Sequence, residues 1–499
     1  MEVLDTSIAN VALPYMAGSL GASNDQSTWV LTSYLVSNAV VLPISGWFSS
    51  VLGRKRFFIT CVVIFTVSSL MCGFAPSLGI LILCRILQGA GGGGLQPVAQ
   101  AILADTFPPE KRGLAFALYG VTVIVAPTIG PTLGGWITDN YTWRWIFFIN
   151  IPVGLIAIFL VLRLIEDPPW AKRVVGAAAK IDYIGVSFLV LGVGALQVLL
   201  DRGQEDDWFG SHFILTLTIL AVVGLVSLVI WEWFYKSPII DVHLFKNLNF
   251  LGANCMMFVL GLMLFSSLVM MPLYLQSLMG YTAESAGLVL SGGGLLLFFL
   301  MPIVGALTSR IQSRYLVAFG WFTLCLGMFY STQRLDLQIS FESASFLRLA
   351  QVFGLGFLFV PINLTAYIGM PVEKSSSIAG LVNFMRNIGS SVGTSMVTTL
   401  IARRAQVHQL YLVGNVTPGS PAFSRTAVGL AARLAASGAG ASRGTKEAYA
   451  LVYRTLIAQA STQAYIDTYL VLATGAAIMF VLSFGLKKNQ PGAGRVIVD

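Results

Sequence analysis

The sequence has 499 residues, of which 56% are hydrophobic and only 10% charged. A soluble domain averages about 25% charged residues, so this chain cannot cover a water-facing surface and reads as an all-α integral membrane protein. The net charge of +8 would suggest nucleic acid in a soluble protein. Here the basic residues fall mostly in short loops between apolar runs, the signature of membrane orientation, and no nucleic-acid partner is implied.

Fourteen apolar segments follow, near 1–17, 28–47, 57–75, 78–103, 113–138, 144–163, 182–200, 212–235, 249–275, 284–307, 315–332, 344–370, 377–402 and 465–486. A spanning helix needs about 20 apolar residues. The first segment reaches only roughly 25 Å against a hydrocarbon core near 30 Å. Helix 1 is therefore expected to be truncated at its N-terminal end, with a polar tail and further turns encoded upstream. One set of loops holds Arg54, Lys55, Arg56, Lys111, Arg112, Arg163, Lys172, Arg173, Lys180, Lys236, Lys246, Arg310, Arg314, Lys374, Lys487, Lys488 and Arg495, while the opposite short loops hold only Arg144, Arg202 and Arg334. That asymmetry predicts both termini in the cytoplasm.

Helix 1 carries a carboxylate, Asp5, among Leu4, Ile8, Val11, Ala12 and Leu13. The loop after helix 2 reads GWFSSVLGRKR (46–56), where Gly46 and Gly53 permit a tight turn and Arg54 anchors it at an anionic leaflet. In helix 4, LILCRILQGAGGGG places Arg85 deep in an apolar run, with Gln88 one turn later on the same face. A buried membrane charge is costly and faces the bundle interior. Helix 5 carries GVTVIVAPTIGPTLGGWI (120–137), in which Pro127 and Pro131 predict bends and Gly130 and Gly134 a GxxxG contact. Trp29, Tyr34, Met263, Phe265, Met270 and Phe384 are candidates to line a cavity for greasy cations, as Met and aromatic side chains adapt to varied shapes. Gln88 and a second buried cation, Arg386 in NFMRNIG, are added to that candidate cavity. Glu232 and Glu284 sit near helix ends and are expected to snorkel.

The chain also echoes itself. Arg85-x-x-Gln88 recurs as Arg348-x-x-Gln351, and GWFSSVLGRKR as GALTSRIQSRY (305–315), at offsets near half the chain. A duplicated six-helix half with two extra helices between is the simplest account, and such repeats mark secondary transporters. The boundaries expected are 1–165 for the first half, 166–248 for the two added helices, 249–486 for the second half and 487–499 for a cytoplasmic tail. Segment 403–464 is small and polar and reads as a long external loop.

Several chemistries are excluded. Cys61, Cys72, Cys84, Cys255 and Cys325 lie inside apolar runs with no CxxC pair, so neither a disulfide scaffold nor a metal site is expected. His212, His243 and His408 are far apart and near loops, without paired carboxylates, which argues against an enzyme. No G-x-x-x-x-G-K-[ST] sequence occurs, so ATP does not drive the protein directly.

LDTSIANVALP (4–14), GWFSSVLGRKR, RILQGAGGG (85–93) and GVTVIVAPTIGPTLGGWI resemble, in order, four motifs of the major facilitator superfamily. The helix-1 and helix-5 motifs together resemble its fourteen-helix drug:proton antiporter branch. LDRGQEDDWF (200–209), GYTAESAGL (280–288) and NFMRNIGSSVGTS (383–395) are similar to the EmrB-type multidrug exporters. The resemblance implies a proton gradient in place of a cofactor, and proton coupling through Asp5 and Arg85. It also implies an antiporter motif (Gly120, Pro127, Gly130, Pro131, Gly134, Gly135) that shapes the interface between halves. In the loop motif (Gly46, Gly53, Arg54) the family's usual aspartate is replaced by Ser50, so those residues are credited with geometry more than gating. The implied activity is export of hydrophobic or amphipathic drugs across the inner membrane by alternating access. A periplasmic membrane-fusion adaptor and an outer-membrane channel are the implied partners. A dedicated exporter of one metabolite, such as a siderophore, fatty acid or self-made antibiotic, would share all these motifs. The acidic loop 201–211, with an exposed-looking Trp208 and Phe209, and the basic segment 403–464 are the surfaces expected to meet the adaptor, the alternative being that the two aromatics sit in the belt at the membrane interface.

Overall fold

The computed structural model describes residues 1–166, 181–414, 416–417, 419–436 and 441–488. Among them the fold is all-α, with no strand. The first half comprises α1 (Glu2–Leu20), α2 (Asn24–Leu52), α3 (Arg54–Gly73), α4 (Leu78–Gly92), α5 (Leu95–Thr106), α6 (Pro109–Asn140), α7 (Trp145–Phe148) and α8 (Asn150–Leu164). Two added helices follow, α9 (Tyr183–Arg202) and α10 (His212–Phe234). The second half holds α11 (Leu248–Ser277), α12 (Ala283–Leu307), α13 (Ser313–Arg334), α14 (Phe341–Gly356), α15 (Phe359–Ala366), α16 (Ser375–Val413), α17 (Pro421–Leu434) and α18 (Ala441–Ser483).

Local chemistry sets many of these starts. Ser23 caps α2 in a reciprocal box with Gln26, and Asp182, Asn247, Thr282 and Ser340 each accept a backbone N–H at the start of their helices. The glycine run breaks one span into α4 and α5 at Gly93 and Gly94. The span formed by α6 bends by 43° just after Pro127, as proline in a helix interior demands.

Fourteen spans were expected from apolar runs. Among the described residues eleven helices are long and apolar enough to cross a membrane, or twelve with the bent α6 counted as one span. The segments left over are α1, which carries Glu2 and Asp5, and α16, whose face is rich in Ser, Thr, Asn and Arg386. Their polar residues are buried against protein, Glu2 and Asp5 in α1 and Asn383 and Arg386 in α16, as costly membrane charges require. The added helix α10, by contrast, shows Ile219, Val222, Val223 and Val226 to the outside.

One end of the bundle carries Arg54–Arg56, Lys111, Lys246, Arg310, Lys374 and Lys487 and is called here the basic end. The halves are tightly joined there. A Cβ on Gly46 would lie 2.6 Å from the Ser377 Cα, and the facing Gly113 and Gly305 would collide with each other's carbonyl oxygens at 2.4–2.6 Å. Ser49 and Ser376 hydroxyls meet at 3.3 Å. Gln100 donates to Asn363, and Asn383 donates to Gln100 at 2.5 Å. At Gly53 the chain turns from α2 into α3 with φ 86°, where a Cβ would be strained.

The segment 403–464, expected as a loop, is largely helical. Helix α16 continues to Val413, α17 covers 421–434, and α18 begins at 441. Alanine is the strongest helix former, and the alanine-rich stretch 427–436 follows that propensity despite its low hydrophobicity. Phe423 of α17 stacks on Tyr449 of α18 at 5.7 Å, and His408 bonds Asp467 at 2.8 Å across α16 and α18. Glu232 is also corrected: it is 0% exposed and does not snorkel. The side chain of Glu284, the loop bases Lys172, Arg173 and Lys180, and the tail beyond Lys488 lie outside the described residues.

Candidate functional site

Asp5 projects from α1 into the first half, where it is almost fully buried. Arg85 of α4 donates from Nη1 to Asp5 Oδ2 at 2.5 Å. Gln88 Nε2 donates to Asp5 Oδ1 at 3.0 Å, and Asn150 Nδ2 donates to the same oxygen at 2.7 Å. Asn150 is itself fixed by Ser69 at 3.1 Å. The guanidinium is positioned from three sides: Nε donates to the Val30 carbonyl at 3.1 Å, Nη1 to Gln88 Oε1 at 2.8 Å, and the Tyr34 ring lies 4.2 Å from its centre. Both carboxylate oxygens are thus occupied, in a setting where an unpaired charge would cost several kcal/mol. The sequence brought Asp5, Arg85 and Gln88 to notice. Asn150 and Ser69 went unnoticed, although Asn150 is a lone amide at the head of the apolar run IPVGLIAIFLVL.

The site is tied to α6. Pro131 has no N–H for the Pro127 carbonyl, and Ser7 Oγ donates to that freed oxygen at 3.0 Å. Gly130 lies against Ser7, and Gly134 against Ile8, where a Cβ would meet atoms at 2.4 and 3.1 Å. The GxxxG of α6 therefore receives α1 of the same half. Elsewhere along α6, Gly120 faces Phe359 and Met301 of the second half, and Pro127 borders a void of about 10 Å³ with Phe265, Leu268 and Arg348. Gly135 faces open space. Of the antiporter-motif residues, Gly120 and Pro127 therefore face the second half, while Gly130 and Gly134 face α1 of their own half.

At the basic end, Arg54 pairs with Asp105 of α5, and Asp105 accepts from Ser375 Oγ of the second half at 3.0 Å. The carboxylate absent at Ser50 is thus supplied by another helix. Sequence reasoning missed Asp105; its only signal was an acid one turn before the next basic loop.

Residues 1–394 match the family model described as Major Facilitator Superfamily. The chain belongs to the Major Facilitator Superfamily. It is a multi-span transporter of small molecules, not an enzyme, and its relatives make it EmrB-type. It is 40% identical over 422 residues to the multidrug export protein EmrB of Haemophilus influenzae, covering 84% of this chain and 82% of that one. To EmrB of Escherichia coli K12 it is 38% identical, with 84% and 81% covered. To the fatty acid resistance protein FarB of Neisseria gonorrhoeae it is 39% identical over 433 residues, with 86% and 84% covered. The proton:xylose symporter XylE shares the fold at a TM-score of 0.59 and 12% identity, with 98% of this chain and 94% of that one aligned.

The residues expected to line one cavity do not converge. Trp29 lies near the end opposite the basic one, with Arg202 5.6 Å from its ring centre. Gln88 and Tyr34 belong to the Asp5 site. Met263 packs toward Gly475 of α18, whose Cβ would meet it at 2.9 Å. Phe384 is half-buried against the main apolar core, and Arg386 donates to Gln96 across the halves. Apolar periodicity cannot distinguish these fates, because helices in a bundle are apolar on nearly every face. Trp208 is likewise no free anchor: its indole donates to Gln204 at 3.3 Å and to Thr399 of α16 at 3.2 Å. Phe209 stays 65% exposed.

Proposed function

We propose that this transporter exports hydrophobic and amphipathic compounds in exchange for protons, by alternating access. The observation that carries the reading is the sealed Asp5–Arg85 pair. A proton on Asp5 would cancel its charge and leave Arg85 to its remaining partners, Val30, Gln88 and Tyr34. That change would loosen α1 from α4, and α1 is held by α6, which packs on α12 of the other half. Protonation in the first half then has a contiguous route to the interface between halves. The basic loops support placing the basic end in the cytoplasm of an inner membrane, and on that reading the tight join of the halves there closes the path to the cytoplasm. The names of the EmrB relatives support a broad range of drugs as cargo. The comparable identity to a fatty acid resistance protein favours, as a second reading, a dedicated exporter of acyl carboxylates.

The projecting segment formed by the ends of α16 and α18 with α17, together with Phe209, offers an adaptor of the membrane-fusion type a docking surface that leads to an outer-membrane channel. Cysteines at Gln204 and Ser211 should crosslink that adaptor in cells; intact efflux without any crosslink there or in 403–464 would mean that the exporter works alone. The main reading is tested by efflux from cells or vesicles. Collapse of the proton gradient should abolish it while ATP depletion at constant gradient should not, and Asp5→Asn should remove coupled transport. Normal export by Asp5→Asn would place proton binding elsewhere.

A further inference from the structure

Glu2 is a second acid on α1, three residues before Asp5 and so on the same side of the helix. It is buried to nine-tenths. Its Oε1 accepts from Asn38 Nδ2 at 2.8 Å, while Oε2 makes no hydrogen bond although Gln96 lies alongside. The charged and titratable groups around it are the Met1 amino group on α1, Tyr34 of α2, Cys61 of α3, Tyr119 of α6 and Arg386 of α16. Arg386 comes from the opposite half. Its Nη2 donates to Gln96 Oε1, which also accepts from the Tyr119 hydroxyl at 3.3 Å, and its Nη1 has no partner. The Tyr34 hydroxyl, packed against Gly92, is also without a hydrogen bond.

The two acids of α1 therefore differ. Asp5 is saturated and enclosed by groups of its own half. Glu2 has one free oxygen, lies where the halves meet, and faces an incompletely bonded cation on the other half. Buried polar atoms left without partners are costly, and this cluster keeps three of them within one junction. Tyr34 joins the two acids, with its ring beside Arg85 and its hydroxyl end beside Glu2.

We propose that Glu2 is a second proton carrier of the exchange, working in series with Asp5 at the junction of the halves. The inference rests on the proton-coupled reading above. When the junction closes, protonated Glu2 needs only Asn38 and its neutral neighbours. When it opens, the O–H bond breaks, the proton passes to water in the gap, and the same water solvates the carboxylate left behind as Arg386 moves away with the other half.

The experiment uses the purified chain with the wild type, Glu2→Gln, Glu2→Asp and Asp5→Asn, each checked for a monodisperse elution profile. Protons released into weakly buffered solution are counted on addition of tetraphenylphosphonium. The protonated-carboxyl stretch is followed by infrared difference spectroscopy between acid and alkaline pH. Glu2→Gln should release about half the protons of the wild type and lose one carboxyl band, while Glu2→Asp should keep both signals with a shifted midpoint. Asp5→Asn should lose the other half. Wild-type proton release and an unchanged spectrum in Glu2→Gln would overturn the proposal and leave proton coupling through Asp5 standing. If the wild type itself releases no protons, the proton-coupled reading falls, and with it the proposal.

Discussion

Arg85 and Arg348 occupy equivalent places in the two halves, and both are buried, at 0% and 3% exposure. Their surroundings are unlike. Arg85 meets Asp5, Gln88, the Val30 carbonyl and the Tyr34 ring. Arg348 meets one neutral hydroxyl, Ser267 Oγ at 3.0 Å, and its Nε has no partner; the neighbouring Gln351 donates to Ser331 at 2.8 Å. The repeat preserved the cation and the amide and supplied the acid only once. Charge chemistry is therefore concentrated around the first arginine, while among the described residues no acid pairs with Arg348.

The largest test of that contrast is Asp5→Ala. It strands Arg85 in a dry site, so thermal unfolding in detergent should show a loss of about 3–5 kcal/mol, and efflux should stop. Arg348→Met should act in the other direction, because replacing a lone buried charge by an apolar chain of similar length removes a desolvation cost. A gain of about 1–3 kcal/mol is expected in the same melt, and a loss as large as that of Asp5→Ala would erase the distinction between the arginines. Gln88→Leu leaves Asp5 with one donor fewer and should cost about 1–3 kcal/mol, while Gln351→Leu should cost less. Smallest is Ser7→Ala, which uncovers the Pro127 carbonyl. About 0.5–1.5 kcal/mol is expected, together with a measurable slowing of efflux if α1 signals through α6.

Much of this was legible beforehand where a charge interrupts an apolar run, because burial of Asp5 or Arg85 has so few solutions. The fourteen helical runs, the Arg-x-x-Gln echo and the bend at Pro127 are of that kind. Glu2 was not singled out, since an acid at the edge of a segment reads as a boundary, and Asn150 was hidden at the junction of α7 and α8. The cavity residues failed for a different reason: length and hydropathy locate a helix in a bilayer but do not say which of its faces meets the other half. In 403–464, low hydrophobicity was weighed where alanine propensity decided the outcome.

Helix α18 runs 43 residues, about 65 Å at 1.5 Å per residue, against a hydrocarbon core near 30 Å. It packs along α11, α13 and α16 within the second half and against α17, and roughly half its length is in excess of that core, enough for a stiff mast braced by α17. A mast rooted in one half converts a small tilt of that half into sideways travel at the tip, several times larger than the displacement at its root. Spin labels at the top of α18 and on the 201–211 loop would therefore read out the state of the transport cycle from outside the membrane, without a probe in the substrate path.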